Sequence, residues 1–314
     1  MTTDASRVRS TAVTDLETSE TTEANMTSPP AKGAAGKKTR SLVATVIIYL
    51  LLLCGALFCL FPFLWLLRSS LMDQTQIFAT PPKLFPDPFV WDNFSGAFIA
   101  APFGNYFLNT LQIILVAVPG TLLSCSAAAF AFSRLKWKGR NTVFALLMTS
   151  MMLPYAVTLI RTFIAWQQLG FVDTYIPLTI PAWFGAGGAF YIFMLRQFFM
   201  GVPQDLDNAM YIDGGTPWTV FWRIILPLNK GPLTLVGIFT TIAYWNDLLN
   251  PLIYLSDSAK YTLSLGLASF RGLYASQWGY LMAASLVVIL PLIVLFFIGQ
   301  KYIVEGIALT GVKG

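Results

Sequence analysis

The sequence has no histidine and only three cysteines among its 314 residues. The first absence removes the side chain that most often shuttles protons near neutral pH and ligates transition metals, so histidine-based acid–base or metal chemistry is excluded. The cysteines, Cys54, Cys59 and Cys125, all sit inside apolar runs, which argues against a disulfide framework and assigns them to packing. No run of small residues of the lipobox kind precedes Cys54 or Cys59, so neither reads as a lipid anchor. Charge is also scarce. Charged residues make up 11% of the chain, against about 25% in a typical soluble domain, while 56% of residues are hydrophobic. That is the composition of a polytopic membrane protein.

What is there is a series of apolar runs long enough to cross a bilayer as helices, which needs about 20 residues each. Six such spans are expected, at 42–67, 106–132, 142–166, 175–199, 233–253 and 279–299, giving an all-α fold with six transmembrane helices. Residues 1–40 have no aromatic residue, are rich in Ser, Thr, Ala and Glu, and end in Lys37, Lys38 and Arg40. They read as a disordered tail before a membrane domain at 41–314. The basic cluster fits either an anchor at anionic lipid or a topogenic flank. Pro62 should kink the first span, and residues 68–105, with five prolines or tryptophans in the middle third, read as partly helical and interfacial. Small residues at Ser124, Ser126, Ala127, Ala128, Ala129 and Ala131, and Gly185, Gly187 and Gly188, would allow close helix contact.

The net charge of +5 does not point to nucleic acid, because the basic residues lie at the ends of apolar segments rather than along a face. With both termini in the cytoplasm, fifteen Lys and Arg fall inside and five outside, as the positive-inside rule requires. The run Arg134, Lys136, Lys138 and Arg140 marks a cytoplasmic turn. Gly36-Lys37-Lys38-Thr39 is not a phosphate-binding loop, since Ala31 stands where its first glycine belongs and no strand precedes it. No internal repeat is evident, which argues against the inverted-repeat secondary carriers.

One polar interruption between the fourth and fifth spans has its own punctuation: PQDLDNAMYIDGGTPWTVFWRIILPLNKGP, residues 203–232. Pro203 suits a first helical turn, Asp205 and Asp207 favour a helix N-terminus, and Gly214-Gly215 stops the helix. Thr216 and Pro217 then open a second helix running to Leu226 and ended by Pro227. Helices this short need a docking partner, and Trp218, Phe221, Trp222 and Ile225 offer the apolar surface. The same stretch also fits an amphipathic loop packing on its own protein.

The spacing of this loop resembles that of bacterial ATP-binding-cassette importer permeases, whose pattern is Glu-Ala-Ala, three residues, Gly, nine residues, Ile, one residue, Leu-Pro. It falls here on Asn208, Ala209, Met210, Gly214, Ile224, Leu226 and Pro227, with Asn208 in place of the glutamate and Met210 in place of the second alanine. Ile212-Asp213-Gly214 is similar to the carbohydrate-importer branch, and so is the C-terminal stretch QKYIVEGIALTGVKG, 300–314, set against that branch's Gly-x-Val-Lys-Gly ending. The resemblance implies that the loop, with Asp205, Asp207, Asp213 and Gly215, is a coupling helix seated on an ATPase subunit. It further implies a homologous second permease, two ATPase subunits carrying ATP and Mg, an extracytoplasmic solute-binding protein and a carbohydrate cargo. No cofactor or metal is expected on this chain, and no catalytic residue.

Polar groups within spans are costly and are functional candidates by default. Trp245, Asn246, Asp247 and Asn250 on the fifth span form the most suggestive set, with Asn246 and Asn250 one turn apart. Asn, Asp and an aromatic face suit a hydroxyl-rich sugar, although interhelical hydrogen bonding would use the same residues. Asn109 and Gln112 on the second span and Tyr155, Thr158 and Arg161 on the third are further candidates. Arg161 fits either attraction of an anionic cargo such as a phosphorylated polyol or a side chain reaching the outer interface. An ion-coupled carrier using Asp247 as its coupling carboxylate, and a scaffold with no transport path, are the rival classes.

Overall fold

A 31-residue helix, α4 (Phe103–Ser133), carries most of the tertiary packing in this computed structural model, which describes residues 42–273 and 277–311. The expected tail 1–40, its basic cluster and the last residues of the C-terminal motif, 312–314, lie outside the described residues. The described residues fall into two units, one up to Phe58 and one from Cys59 onward. Within the first unit, the described residues belong to α1 (Leu42–Ser70), whose helix runs on through Pro62 without a break.

In the second unit, α4 packs against α7 (Ile176–Trp183), α8 (Ala189–Met200) and α12 (Lys230–Trp245). Small side chains make this possible, because in lipid helices associate through close van der Waals contact rather than through hydrophobic burial. Cys125, Ser126 and Ala129 of α4 are buried, and Ser124 donates to the Ala182 carbonyl at 2.8 Å. Gly188 approaches so closely that a Cβ there would lie 2.5 Å from Cys125 Sγ.

Three of the expected spans are single helices long and apolar enough to cross a membrane: Ala44–Ser70, Phe103–Ser133 and Trp278–Tyr302. The other three expected spans are each divided into two helical pieces. The third divides into α5 (Arg140–Ser150) and α6 (Tyr155–Gln168), bent by 96° at Pro154, whose ring disfavours helix in the residue before it. The fourth divides where Gly185 and Gly187 adopt φ of +71° and +72°, a left-handed geometry that no right-handed helix continues through. The fifth ends at Trp245 and resumes as α13 (Leu249–Tyr254).

Residues 68–105 are partly helical, as expected, and are held together by buried hydrogen bonds. Asn93 of α3 (Asp92–Ala100) is buried and donates to the carbonyls of Ser70 and Met72, both at 2.9 Å. A short α2 (Gln74–Ile77) lies between them, and α3 packs against α15 (Trp278–Gly311). Arg68 donates to the Lys83 carbonyl and lies over the Trp65 ring.

A hinged loop and an aromatic cavity as the candidate functional site

The loop after α8 begins with α9 (Gln204–Ile212), whose first turn carries Asp205 and Asp207. It stops by a complete Schellman arrangement. Gly214, at φ +79°, donates to the Tyr211 carbonyl at 3.1 Å, and Gly215 donates to the Met210 carbonyl at 2.8 Å. The chain turns so tightly there that a Cβ on Gly215 would meet that carbonyl oxygen at 2.8 Å. Thr216 then caps α10 (Pro217–Val220), exchanging hydrogen bonds with Thr219 in a capping box.

Pro227 does not end this helix as expected. Phe221–Ile225 form a π-helical turn in which the Leu226 amide reaches back five residues to the Phe221 carbonyl, and the wider turn lets Pro227 enter α11 (Leu226–Leu228). The break falls at Asn229, buried and donating to the Ile225 carbonyl at 2.8 Å, beyond which α12 leaves at 79°.

The four apolar residues expected to form one docking surface are divided. Phe221 and Ile225 are buried in a cluster with Phe130, Phe199 and Val236, so the second helix of the loop is part of the protein core. Trp218 and Trp222 remain on the outside, 64% and 42% exposed, with ring centroids 5.6 Å apart. Asn208, Ala209 and Asp213 of the first helix are also exposed, as is Pro227, while Met210, Ile224 and Leu226 are half-buried.

Asp207 differs from its neighbours. It is buried, and its carboxylate lies 3.2 Å from a guanidinium nitrogen of Arg134, at the end of α4. The same guanidinium donates to the Phe199 and Val202 carbonyls at 2.5 and 2.6 Å, at the C-terminus of α8. Burial pushes the Asp207 carboxyl above the usual range, and the Arg134 charge draws it back down. Arg134 read in the sequence as one of four topogenic charges, and nothing local distinguished it from Lys136 or Lys138.

A cavity of about 560 Å³ opens among α6, α7, α8, α12 and α13. Tyr155, Asp247 and Asn250 line it, as does Thr158. Tyr155 donates its hydroxyl to Asn250 Oδ1, and Asn250 Nδ2 donates to Asp247 Oδ2 at 2.8 Å. The other Asp247 oxygen accepts the Asn250 amide at 3.2 Å, starting α13 after the break.

Five of the candidates do not line the cavity. Trp245 is buried and donates to the Val288 carbonyl at 3.2 Å, a contact with α15. Asn246 turns back to the Ile242 carbonyl at the end of α12. Asn109 donates to the carbonyls of Ala259 and Tyr261 at 2.8 and 3.1 Å, and Gln112 is exposed. Arg161 is exposed on α6 and is likewise absent from the lining. The lining instead includes Tyr191, Tyr244, Tyr254 and Trp166, which sequence reasoning missed because they come from separate elements with no shared local pattern.

At the end of α4 opposite Arg134, Asp173 adopts φ +62° and accepts the amides of Ser256 and Asp257, both at 3.0 Å. Lys260 lies 2.6 Å from its carboxylate. These hydrogen bonds hold the Asp173 carboxyl down to about 2.

An all-α membrane chain, broken around a polar cavity and carrying a two-helix loop partly set into its core, has the architecture of a transport-system permease. Residues 120–308 match the family described as binding-protein-dependent transport system inner membrane component, and the chain belongs to that family. It is 32% identical over 262 residues to AraQ of Halalkalibacterium halodurans, an arabinooligosaccharides transport system permease protein, covering 82% of this chain and 93% of the relative. It is 30% identical over 270 residues to UgpE of Yersinia pestis, an sn-glycerol-3-phosphate transport system permease protein, covering 83% and 95%. A crystal structure of a bacterial ABC transporter involved in the import of the acidic polysaccharide alginate has the same fold, with a TM-score of 0.72 at 20% identity, covering 83% of this chain and 96% of that one.

Proposed function

We infer that this chain is the permease subunit of an ATP-driven importer and carries a carbohydrate inward by alternating access. Residues 41–314 form the permease domain, both termini face the cytoplasm, and 1–40 is a cytoplasmic tail. The chain hydrolyses nothing itself. ATP and Mg are held by two ATPase subunits, a homologous second permease completes the pathway, and an extracytoplasmic binding protein delivers the cargo. The names of the relatives support this reading, since AraQ serves arabinooligosaccharides and an alginate transporter has been seen with a sugar-bound periplasmic protein.

The observation that carries the mechanism is the division of the 203–228 loop. Its outer side, with Asn208, Ala209, Trp218 and Trp222, is bare, while Phe221 and Ile225 are buried against α4 and α8. A push on the outer side reaches the helices around the cavity without passing through a flexible segment. Closure of the ATPase pair on nucleotide would thereby bias the two access states. The ion-coupled reading loses support, because both Asp247 oxygens are already engaged by Asn250.

The test is uptake in cells or vesicles holding the assembled transporter. Uptake that stops on ATP depletion and survives an uncoupler supports the reading. Uptake that collapses with the uncoupler and survives ATP depletion overturns it.

A further inference from the structure

We propose that this chain's cavity discriminates by charge, accepting an uncharged sugar ring and turning away anionic carbohydrates. The inference rests on the carbohydrate-importer reading and concerns a property that reading leaves open. The cavity wall has four tyrosines, Tyr155, Tyr191, Tyr244 and Tyr254, drawn from four different helices and the breaks between them. Tyr254 is buried with its ring stacked on Phe163, so the faces open to the apolar face of a sugar ring are those of Tyr155, Tyr191 and Tyr244, whose hydroxyls can exchange hydrogen bonds with its hydroxyls.

Among the described residues, Asp247 is the only ionisable group of the wall besides the tyrosines, and no Lys or Arg lines it. Two basic residues on neighbouring segments are accounted for elsewhere. Arg161 is exposed outside the lining, and Lys260 is committed to Asp173. A carboxylate or phosphate entering this space would meet Asp247 with no cation from the described residues of this chain's wall to offset it, and like-charge juxtaposition at a recognition surface is among the strongest sources of rejection. A neutral hydroxyl pair faces no such cost.

The experiment uses the complete transporter reconstituted in proteoliposomes, comparing ATP-driven uptake of a neutral trisaccharide, such as maltotriose or arabinotriose, with that of trigalacturonate and glycerol 3-phosphate. Wild-type transporter should favour the neutral cargo by about tenfold or more. Asp247→Asn should narrow the ratio and Asp247→Lys should narrow it further toward the anions. The two variants are read separately, so that if Asp247→Lys does not assemble, Asp247→Asn still decides. Anionic cargo taken up as well as neutral by wild type, or a ratio unmoved by an assembled Asp247 variant, overturns the charge discrimination and leaves the importer reading standing. Neutral-cargo uptake that survives ATP depletion and collapses with an uncoupler overturns the importer reading, and the discrimination with it.

Discussion

The Arg134 guanidinium, 3.2 Å from the Asp207 carboxylate, joins the end of α4 to the first helix of the loop. It also ties that joint to α8 through the Phe199 and Val202 carbonyls. The side chains are only 5% and 3% exposed, so removing one partner strands a buried charge. Such a loss costs about 3–5 kcal/mol, whereas removing both partners together is far less harmful. Arg134→Leu should therefore loosen α9, seen as faster amide hydrogen exchange over 204–212 in the purified complex. Arg134→Leu with Asp207→Leu should recover much of the protection.

The hinge makes a sharper demand. Gly214 sits at φ +79°, which costs a side-chain-bearing residue about 1–3 kcal/mol, and a branched residue most. Gly214→Val should reduce uptake by about tenfold or more while the complex still assembles, as judged by co-purification of its subunits. Gly214→Asn should retain most uptake, because asparagine tolerates left-handed backbone. Equal loss in both variants would mean that backbone geometry at 214 is not what uptake requires.

Much of this loop was legible in the sequence. Proline, glycine and threonine act through local backbone chemistry, so the stop at Gly214-Gly215 and the cap at Thr216 could be read directly. The burial of Phe221 and Ile225 could not, since it depends on α4 and α8, nearly 100 residues earlier at the far end for Phe130. Pro227 misled for a related reason, because a π-helical turn accommodated a residue that normally ends a helix. In the cavity, Asp247, Asn250 and Tyr155 stood out as polar groups in apolar runs. Tyr191, Tyr244 and Tyr254 did not, because a tyrosine in a membrane helix is unremarkable until the fold gathers several of them on one wall.

The contact between Gly188 and Cys125 predicts a compensating pair. A methyl group added at 188 would overlap the sulfur, and overpacking of this kind costs about 1–3 kcal/mol. Gly188→Ala should lower the melting temperature of the purified complex, and Cys125→Ala in the same chain should restore most of it. A Gly188→Ala chain as stable as wild type would contradict the close approach of α4 and α8.

The Asp173 lock predicts a pH dependence at the other end of α4. With its carboxyl held at about 2, below the ordinary 3.8, ionised Asp173 stabilises the fold fully above the ordinary value. That stabilisation is lost as pH falls through this interval. Lys260, raised above its ordinary 10.5, contributes below that value and loses its contribution as pH rises past it. The Ser256 and Asp257 amides should therefore be protected from hydrogen exchange at neutral pH when Asp173 is present, and lose that protection in Asp173→Ala. No difference between the two backgrounds would contradict the lock.

The central claim is that the exposed side of the 203–228 loop receives force from an ATPase, and Ala209 is the place to test it. A photo-crosslinking residue at this exposed position, activated in native membranes, should capture an ATP-binding-cassette ATPase subunit, with a yield that changes when nucleotide is added. Failure to capture an ATPase in either nucleotide condition, or labelling of the same position by an impermeant reagent from outside the cell, would contradict the account.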